Sequence, residues 1–157
     1  MAEAALVIEE NDPVLESEFM KEMVKQMRAI DMYDSYEGWS AAKILDPFVM
    51  TKERKAEIPV IGDPDEITMA RVKAFYNAIS SIIEKECGLM AVPMINLSHE
   101  GFGRAIVTVG KLVVVDKTLR DVHRFGFKTL SKMKDDSDKF ISVALNIIGE
   151  HPGAAGM

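Results

Sequence analysis

Cysteine is almost absent from this chain, and long apolar runs do not occur in it. Cys87 is the only cysteine among 157 residues, so no disulfide can form within the chain. A single unpaired thiol is typical of a reducing compartment. No segment approaches the roughly 20 apolar residues that span a bilayer, and the first residues lack the positive region of a signal peptide. We therefore expect a cytoplasmic protein with no membrane partner.

The chain also lacks a surplus of positive charge. Nineteen Lys and Arg face 25 Asp and Glu, which leaves a formal charge of -6. A protein that neutralises many phosphates usually carries a basic excess, so we expect no nucleic-acid partner. Conventional iron-sulfur ligation takes about four cysteines, and one cysteine therefore argues against any permanently bound cluster. We expect no permanently bound cofactor.

What is present indicates an ordinary globular core. Apolar residues make up 48% of the chain and charged residues 28%, which is close to the average for folded domains. A chain of this length can bury roughly two-thirds of its unfolded surface. We expect a single domain over residues 1–157, with loose tails at residues 1–12 and 150–157.

Apolar spacings of three and four predict three long amphipathic helices. They cover approximately residues 13–32, 64–86 and 127–148. The side chains expected to face the core are Leu15, Phe19, Met20, Met23, Val24, Met27 and Ile30 in the first helix, Ile67, Val72, Phe75, Tyr76, Ile79, Ile82 and Ile83 in the second, and Phe140, Ile141, Ala144, Leu145 and Ile148 in the third. Gly88 is placed to end the second helix in a left-handed conformation, and Gly149 is expected to end the third. A short helical turn is expected around residues 41–45.

Between the second and third helices, the sequence predicts a small antiparallel sheet. Residues 89–97 indicate a strand, but Pro93 cannot donate to a ladder, so this strand should lie at a sheet edge or a bulge. Gly110-Lys111 predicts a two-residue hairpin turn with glycine at its first central position. The fold class is therefore α+β, mostly helical, with long helices packed on a sheet that contains a central hairpin.

The hairpin register follows from that turn. It sets Val109 opposite Leu112 and Val107 opposite Val114. Both faces of the hairpin are then largely apolar, so both need cover. Either the helices provide all of it, or a second copy of the chain covers one face in a homodimer.

Side chains of metal-ligand type cluster at the two ends of the hairpin. They are His99, Glu100, Asp121 and His123, and Cys87 is a further candidate for a metal. None of these pairs has the i, i+4 spacing of a helical metal site. The other interpretation is that His99 satisfies backbone groups in a turn and that His123 bonds a nearby carboxylate.

Positive charge is concentrated in the same part of the chain. Residues 98–128 hold six Lys or Arg against three acidic residues, a local charge of +3 in an acidic protein. The candidate ligand-binding residues are His99, Glu100, Arg104, Arg120, Asp121, His123 and Arg124. Such a patch attracts an anionic ligand or an acidic partner. Internal ion pairs, for example between Arg124 and Asp121, explain the pattern equally well.

No catalytic residue can be assigned from motifs. Ser98 adjoins His99, but sequence neighbours rarely face each other, and no third orienting group is specified. An enzyme of another class could use His99 or His123 with Glu100 in acid-base chemistry, provided that they share one pocket. A purely protein-binding module is the further alternative.

Several stretches resemble the NifX-associated nitrogen fixation proteins. The resemblance covers roughly residues 14–149, and the length of its central match argues against chance agreement. The stretches are FMKEMVKQMRAID, TKERKAEIPVIGDPD, FYNAIS, SHEGFGR and GKLVVVDKTLRDVHRFGF.

The resemblance implies a cytoplasmic accessory protein of nitrogenase maturation, with no established activity or catalytic residues. The implied partners are nitrogenase components or proteins that assemble the iron-molybdenum cofactor. Because that cofactor and its precursors are anionic, the resemblance implies that a precursor could dock transiently on the basic patch around Arg104, Arg120, His123 and Arg124.

Overall fold

A computed structural model describes residues 13–30, 38–46, 66–96, 103–118 and 129–156. Within these ranges, five α-helices and three β-strands follow one another, after a single 3-10 turn at Pro13–Glu16. The elements are α1 (Glu18–Ala29), α2 (Ala41–Leu45), α3 (Glu66–Cys87), β1 (Ala91–Asn96), β2 (Arg104–Val109), β3 (Leu112–Thr118), α4 (Leu130–Glu150) and α5 (Pro152–Ala155). The predicted α+β class is confirmed.

Helix α1 begins later than the apolar pattern predicted. Ser17 is its N-cap, and the Ser17 hydroxyl accepts a hydrogen bond of 3.2 Å from the backbone N–H of Met20. A serine in this role satisfies a donor that a helix start otherwise leaves unpaired, so the chain before it can remain a 3-10 turn. The predicted apolar stripe is confirmed, since the following side chains are buried: Leu15, Phe19, Met20, Met23, Val24 and Met27.

Helix α3 forms the centre of the core. Of its predicted inward residues, Val72, Phe75, Tyr76, Ile79, Ile82 and Ile83 are buried, and the side chain of Ile67 lies outside the described part of the structure. The Phe75 ring contacts the rings of Phe19 on α1 and Phe140 on α4 edge-on, with centroids 5.2 and 6.2 Å apart. Gly88 ends the helix as predicted, with φ +71° and its N–H bonded to the Glu84 carbonyl at 2.8 Å.

The sheet has the order β1-β2-β3, and both pairings are antiparallel. Pro93 therefore lies in an edge strand, as its missing N–H requires. The predicted hairpin is confirmed, and Gly110 in its turn has φ +60°. One part of the predicted register was wrong: Val107 lies opposite Val115, because a bulge after Val107 adds a residue to β3.

The helices cover one face of this sheet. Residues Ala91, Ala105, Val107 and Val109 point toward α3 and α4 and are buried. Lys117 lies opposite Ala105, and its ammonium is 4.7 Å from the centre of the Phe140 ring on α4. The expectation that helices pack on the hairpin is therefore confirmed for this face alone.

Helix α4 is one continuous helix, with Thr129 as its N-cap. The prediction that Gly149 ends it was wrong, because Gly149 lies in the last turn of the helix. Ala144 and Ile148 are buried as expected, whereas Phe140, Ile141 and Leu145, which were also expected in the core, are only half-buried.

Residues 150–156 do not form the loose tail that the sequence predicted over 150–157. Pro152–Ala155 form α5, and Ala155 is buried. The Ala154 carbonyl accepts a hydrogen bond of 3.2 Å from the backbone N–H of Lys111 in the hairpin turn. Residues 1–12, the other predicted tail, lie outside the described residues.

Candidate functional site

The strand register brings three polar residues into one row at an end of the sheet. Asn96 of β1 lies opposite Arg104 of β2, which in turn lies opposite Thr118 of β3. The chain leaves the described sheet after Asn96 and again after Thr118. The two segments that carry most of the candidate residues are therefore attached at the same sheet end.

Most of the predicted site residues lie beyond these attachment points. They are His99, Glu100, Arg120, Asp121, His123 and Arg124, and all six are outside the described residues. Their convergence on one site stays a prediction, as does the acid-base pairing of a histidine with Glu100. Arg104 is the one ligand-binding candidate whose surroundings are described.

Arg104 forms an ion pair across the hairpin. Its Nε donates to Asp116 Oδ1 at 3.1 Å, and its Nη2 donates to Asp116 Oδ2. This two-bond geometry matches the planar guanidinium to the carboxylate, but both side chains are largely exposed, so the pair adds little stability. An anion that binds Arg104 must compete with Asp116.

A shallow cavity of about 220 Å³ adjoins this ion pair. Arg104 and Asn96 supply its polar lining, while Met94, Ile95 and Ile106 supply apolar lining. Ile95 belongs to the opposite face of the sheet, because it pairs with Ala105. The cavity therefore joins the polar row to Met94 and Ile106, which lie on the same sheet face.

That sheet face is the second feature of the site, and helices of the described part of the chain do not cover it. We call it the open face. Its three rows, read from the register, are Val92, Thr108 and Val113; Met94, Ile106 and Asp116; and Asn96, Arg104 and Thr118. Val92, Met94 and Val113 are 42%, 52% and 51% exposed, and the preceding Met90 is 74% exposed.

The open face was predicted only in part from the sequence. Alternation in the hairpin predicted two apolar faces, but the apolar contribution of Met90, Val92 and Met94 was missed. The same period-two spacing was present in residues 89–97 and indicates one shared face.

Cys87, the remaining metal candidate, lies at the end of α3. Its half-buried thiol donates to the Ile83 carbonyl at 3.0 Å, as a cysteine within a helix commonly does. Across the described ranges, no three His, Cys, Asp or Glu side chains are grouped so that they could hold a metal ion. Nor is any helix in those ranges both long and apolar enough to cross a membrane.

These elements define an α+β protein in which a helical layer covers one face of a three-stranded antiparallel sheet. The chain belongs to the family described as "Protein of unknown function, DUF269", which matches residues 36–156. This assignment agrees with the resemblance to NifX-associated proteins.

The relatives support the family assignment along nearly the whole chain. A Rhodobacter capsulatus protein named "UPF0460 protein in nifX 3'region" is 42% identical over 142 residues, which cover 90% of this chain and 91% of the relative. A Frankia alni protein named "UPF0460 protein in nifX-nifW intergenic region" is 37% identical, over 83% of this chain and 89% of the relative.

A crystal structure from the cyanobacterium Cyanothece 51142 has a similar fold. It is described as a protein associated with nitrogen fixation from the DUF269 family, and it is 40% identical to this chain. The TM-score is 0.82, with 92% of this chain and 95% of the Cyanothece chain covered.

Proposed function

We propose that this chain is a non-enzymatic accessory protein of nitrogen fixation that acts by binding, in support of nitrogenase iron-molybdenum cofactor maturation. The names of the relatives support the setting, because they place two of them beside nifX and describe a third as associated with nitrogen fixation. The open face carries the binding part of the proposal. A cytoplasmic location follows from the same setting.

Exposed apolar residues on the open face favour a protein partner. Val92 and Met94 of β1 and Val113 of β3 are exposed on one face of the sheet, with Thr108 and Ile106 of the central strand β2 between them. Contiguous apolar patches on a folded protein mark interaction surfaces. Methionine in such a patch adapts its shape to the partner.

The occupant that we propose for the open face is a second copy of this chain. A two-fold interface uses the same patch on both copies, so the patch must not repel itself. The chain as a whole carries -6, but the charged residues of the open face, Arg104 and Asp116, neutralise each other. Two copies of this face, which is apolar and carries no net charge, can therefore meet without repulsion between like charges.

Light scattering on a sizing column tests this dimer. Wild type should elute as a dimer, and Val113→Lys, which places a charge in the apolar row, should elute as a monomer. Val143 is 47% exposed and belongs to α4 instead of the open face, so Val143→Lys is the matched control and should remain a dimer. A monomeric wild type, or a dimeric Val113→Lys that is folded by circular dichroism, would exclude the open face as a dimer interface.

A second candidate function is transient binding of an anionic cofactor precursor. Arg104 supports it, because this guanidinium lies at the sheet end to which both candidate segments are attached. Purified protein mixed anaerobically with precursor should retain it on a sizing column. Arg104→Gln should lower retention, and Asp116→Asn should raise it by removing the competing carboxylate.

Lys111 provides the control for this experiment. It lies in the hairpin turn, at the opposite end of the sheet, so Lys111→Gln removes the same charge without touching Arg104. If wild type retains no precursor, the cargo function fails while the dimer is unaffected. A pull-down from nitrogen-fixing cells would then show whether nitrogenase components or cofactor-assembly proteins bind the chain.

A further inference from the structure

An open groove of about 530 Å³ runs between α1, α3 and α4, and no strand residue lines it. Its size is within the range of about 300–1,000 Å³ that proteins use to hold ligands. Apolar side chains from all three helices form the floor: Phe19, Ile82, Ile141 and Leu145. The groove is therefore separate from the open face and from the dimer proposed there.

One side of α4 forms a wall of this groove. Lys134, Asp138, Ile141 and Leu145 follow one another at spacings of four, three and four, which places them along one line of the helix. This line explains why Ile141 and Leu145 are only half-buried although the sequence pattern predicted them in the core. They contact the groove as well as the protein interior.

The charges around the groove are predominantly negative. Glu18, Glu86 and Asp138 line it together with a single cation, Lys134. Lys134 is already bonded to Asp138 at 2.7 Å, and that carboxylate is therefore neutralised.

The two remaining carboxylates differ in their pairing. Glu18 shares Lys85 with Glu22, at 3.8 Å from the Lys85 ammonium. Glu86 is exposed, and no ion pair links it to another side chain in the described ranges. The groove thus combines an apolar floor with a carboxylate at its edge that no cation of the described residues neutralises.

We propose that this groove binds an amphipathic helix of a partner protein that carries Lys or Arg beside aliphatic side chains. The aliphatic residues would pack mainly on the half-buried side chains of Ile141 and Leu145, above the buried Phe19 and Ile82, as in other complexes where a helix lies in an apolar groove. The stem of the cationic residue would lie along the same floor while its charged end meets Glu86. An acidic helix would be repelled by the same carboxylates.

Two fluorescent helical peptides test this proposal. Both have leucine at i, i+4 and i+7 along one face, and they differ only in bearing lysine or glutamate beside that face. The lysine peptide should bind more tightly in fluorescence anisotropy. Amide signals of groove residues such as Ile82 and Leu145 should shift on binding.

Variants separate the charge from the apolar contact. Glu86→Gln should weaken binding of the lysine peptide about three-fold, as expected for a partly exposed ion pair, and should strengthen binding of the glutamate peptide by relieving the repulsion between the two carboxylates. Leu145→Gln should weaken both peptides. Glu150→Gln removes another exposed negative charge at the end of α4, outside the groove, and should change the binding of neither peptide.

Two results would overturn the proposal. One is equal affinity of wild type for the lysine and glutamate peptides. The other is a set of shifted amides on the open face instead of around α1, α3 and α4. Val113→Lys, which disrupts only the open face, should bind the lysine peptide as wild type does, so failure of the dimer and failure of the groove are distinguishable.

Discussion

Replacing Gly110 by alanine should destabilise the fold far more than the same change at another left-handed glycine. Gly110 has φ +60°, a conformation that costs a residue with a Cβ about 1–2 kcal/mol. A Cβ built at Gly110 would also lie 2.6 Å from the carbonyl oxygens of Ala154 and Ala155. Because these are backbone atoms, α5 as a whole must move.

The cost of moving α5 follows from its contacts. The hydrogen bond from the Lys111 N–H to the Ala154 carbonyl would be lost, at about 1 kcal/mol. Ala155, which is 4% exposed, would lose the burial of its methyl group, at about 0.8 kcal/mol. Together with the backbone cost, Gly110→Ala should lower the free energy of unfolding by about 3–4 kcal/mol, a large share of typical domain stability.

Gly88 provides a matched control. It has φ +71°, but a Cβ there would meet nothing within 4 Å, so Gly88→Ala should cost only the backbone term of about 1–2 kcal/mol. Asparagine tolerates this conformation, so Gly88→Asn should recover part of the loss, whereas Gly110→Asn should not. Urea unfolding followed by circular dichroism measures all four variants. Equal losses for the two alanine variants would refute the crowding between α5 and the hairpin turn.

Two further predictions concern buried polar groups. The Ser137 hydroxyl is buried without a hydrogen-bond partner in the described part of the chain, so Ser137→Ala should raise the free energy of unfolding by about 0.5–1 kcal/mol; a loss would contradict this. Burial raises the pKa of Glu22, but hydrogen bonds from Lys85 and Gln26 outweigh this effect and hold the pKa below 4.5. The stability that Glu22 contributes is therefore present above pH 4.5 and lost as the pH falls through its lowered pKa. Lys85→Met should be less stable than wild type at neutral pH and lose less on acidification; parallel pH profiles would exclude this role for Lys85.

Features that depend on neighbouring residues were predictable. The stripes of α1 and α3 were confirmed because burial follows a period of 3.6 residues that the sequence displays directly. Gly88 and Pro93 were placed correctly for a similar reason: one readily adopts positive φ, and the other cannot donate to a ladder.

The errors arose where distant parts of the chain meet. The bulge opposite Val107 changes the register because β3 adjusts to its neighbours in the sheet. Gly149 remains helical, although an isolated glycine favours a helix end. The short α5 helix that follows is packed on the hairpin turn, which lies about 40 residues earlier in the chain. A helix this short is not stable by itself, so only its tertiary contacts could indicate it.

The candidate site was likewise predictable where it depends on neighbouring residues and unpredictable where it depends on distant ones. Its residue types could be identified from charge and motif, and the hairpin placed the segments that carry them at one end of a sheet. The ion pair of Arg104 with Asp116 depended on the register, because the two side chains meet only when β2 and β3 are paired.

The sequence by itself determined helices α1 to α4, the edge strand, the hairpin turn and the family. Tertiary structure alone decided which apolar face of the sheet the helices cover, which carboxylate Arg104 meets, and where a groove opens between α1, α3 and α4. The physical reason is that periodicity and backbone preference act between near neighbours, whereas burial and ion pairing depend on how distant elements pack. Both faces of the hairpin look equally apolar in the sequence, and only the position of the helices distinguishes the core from the open face.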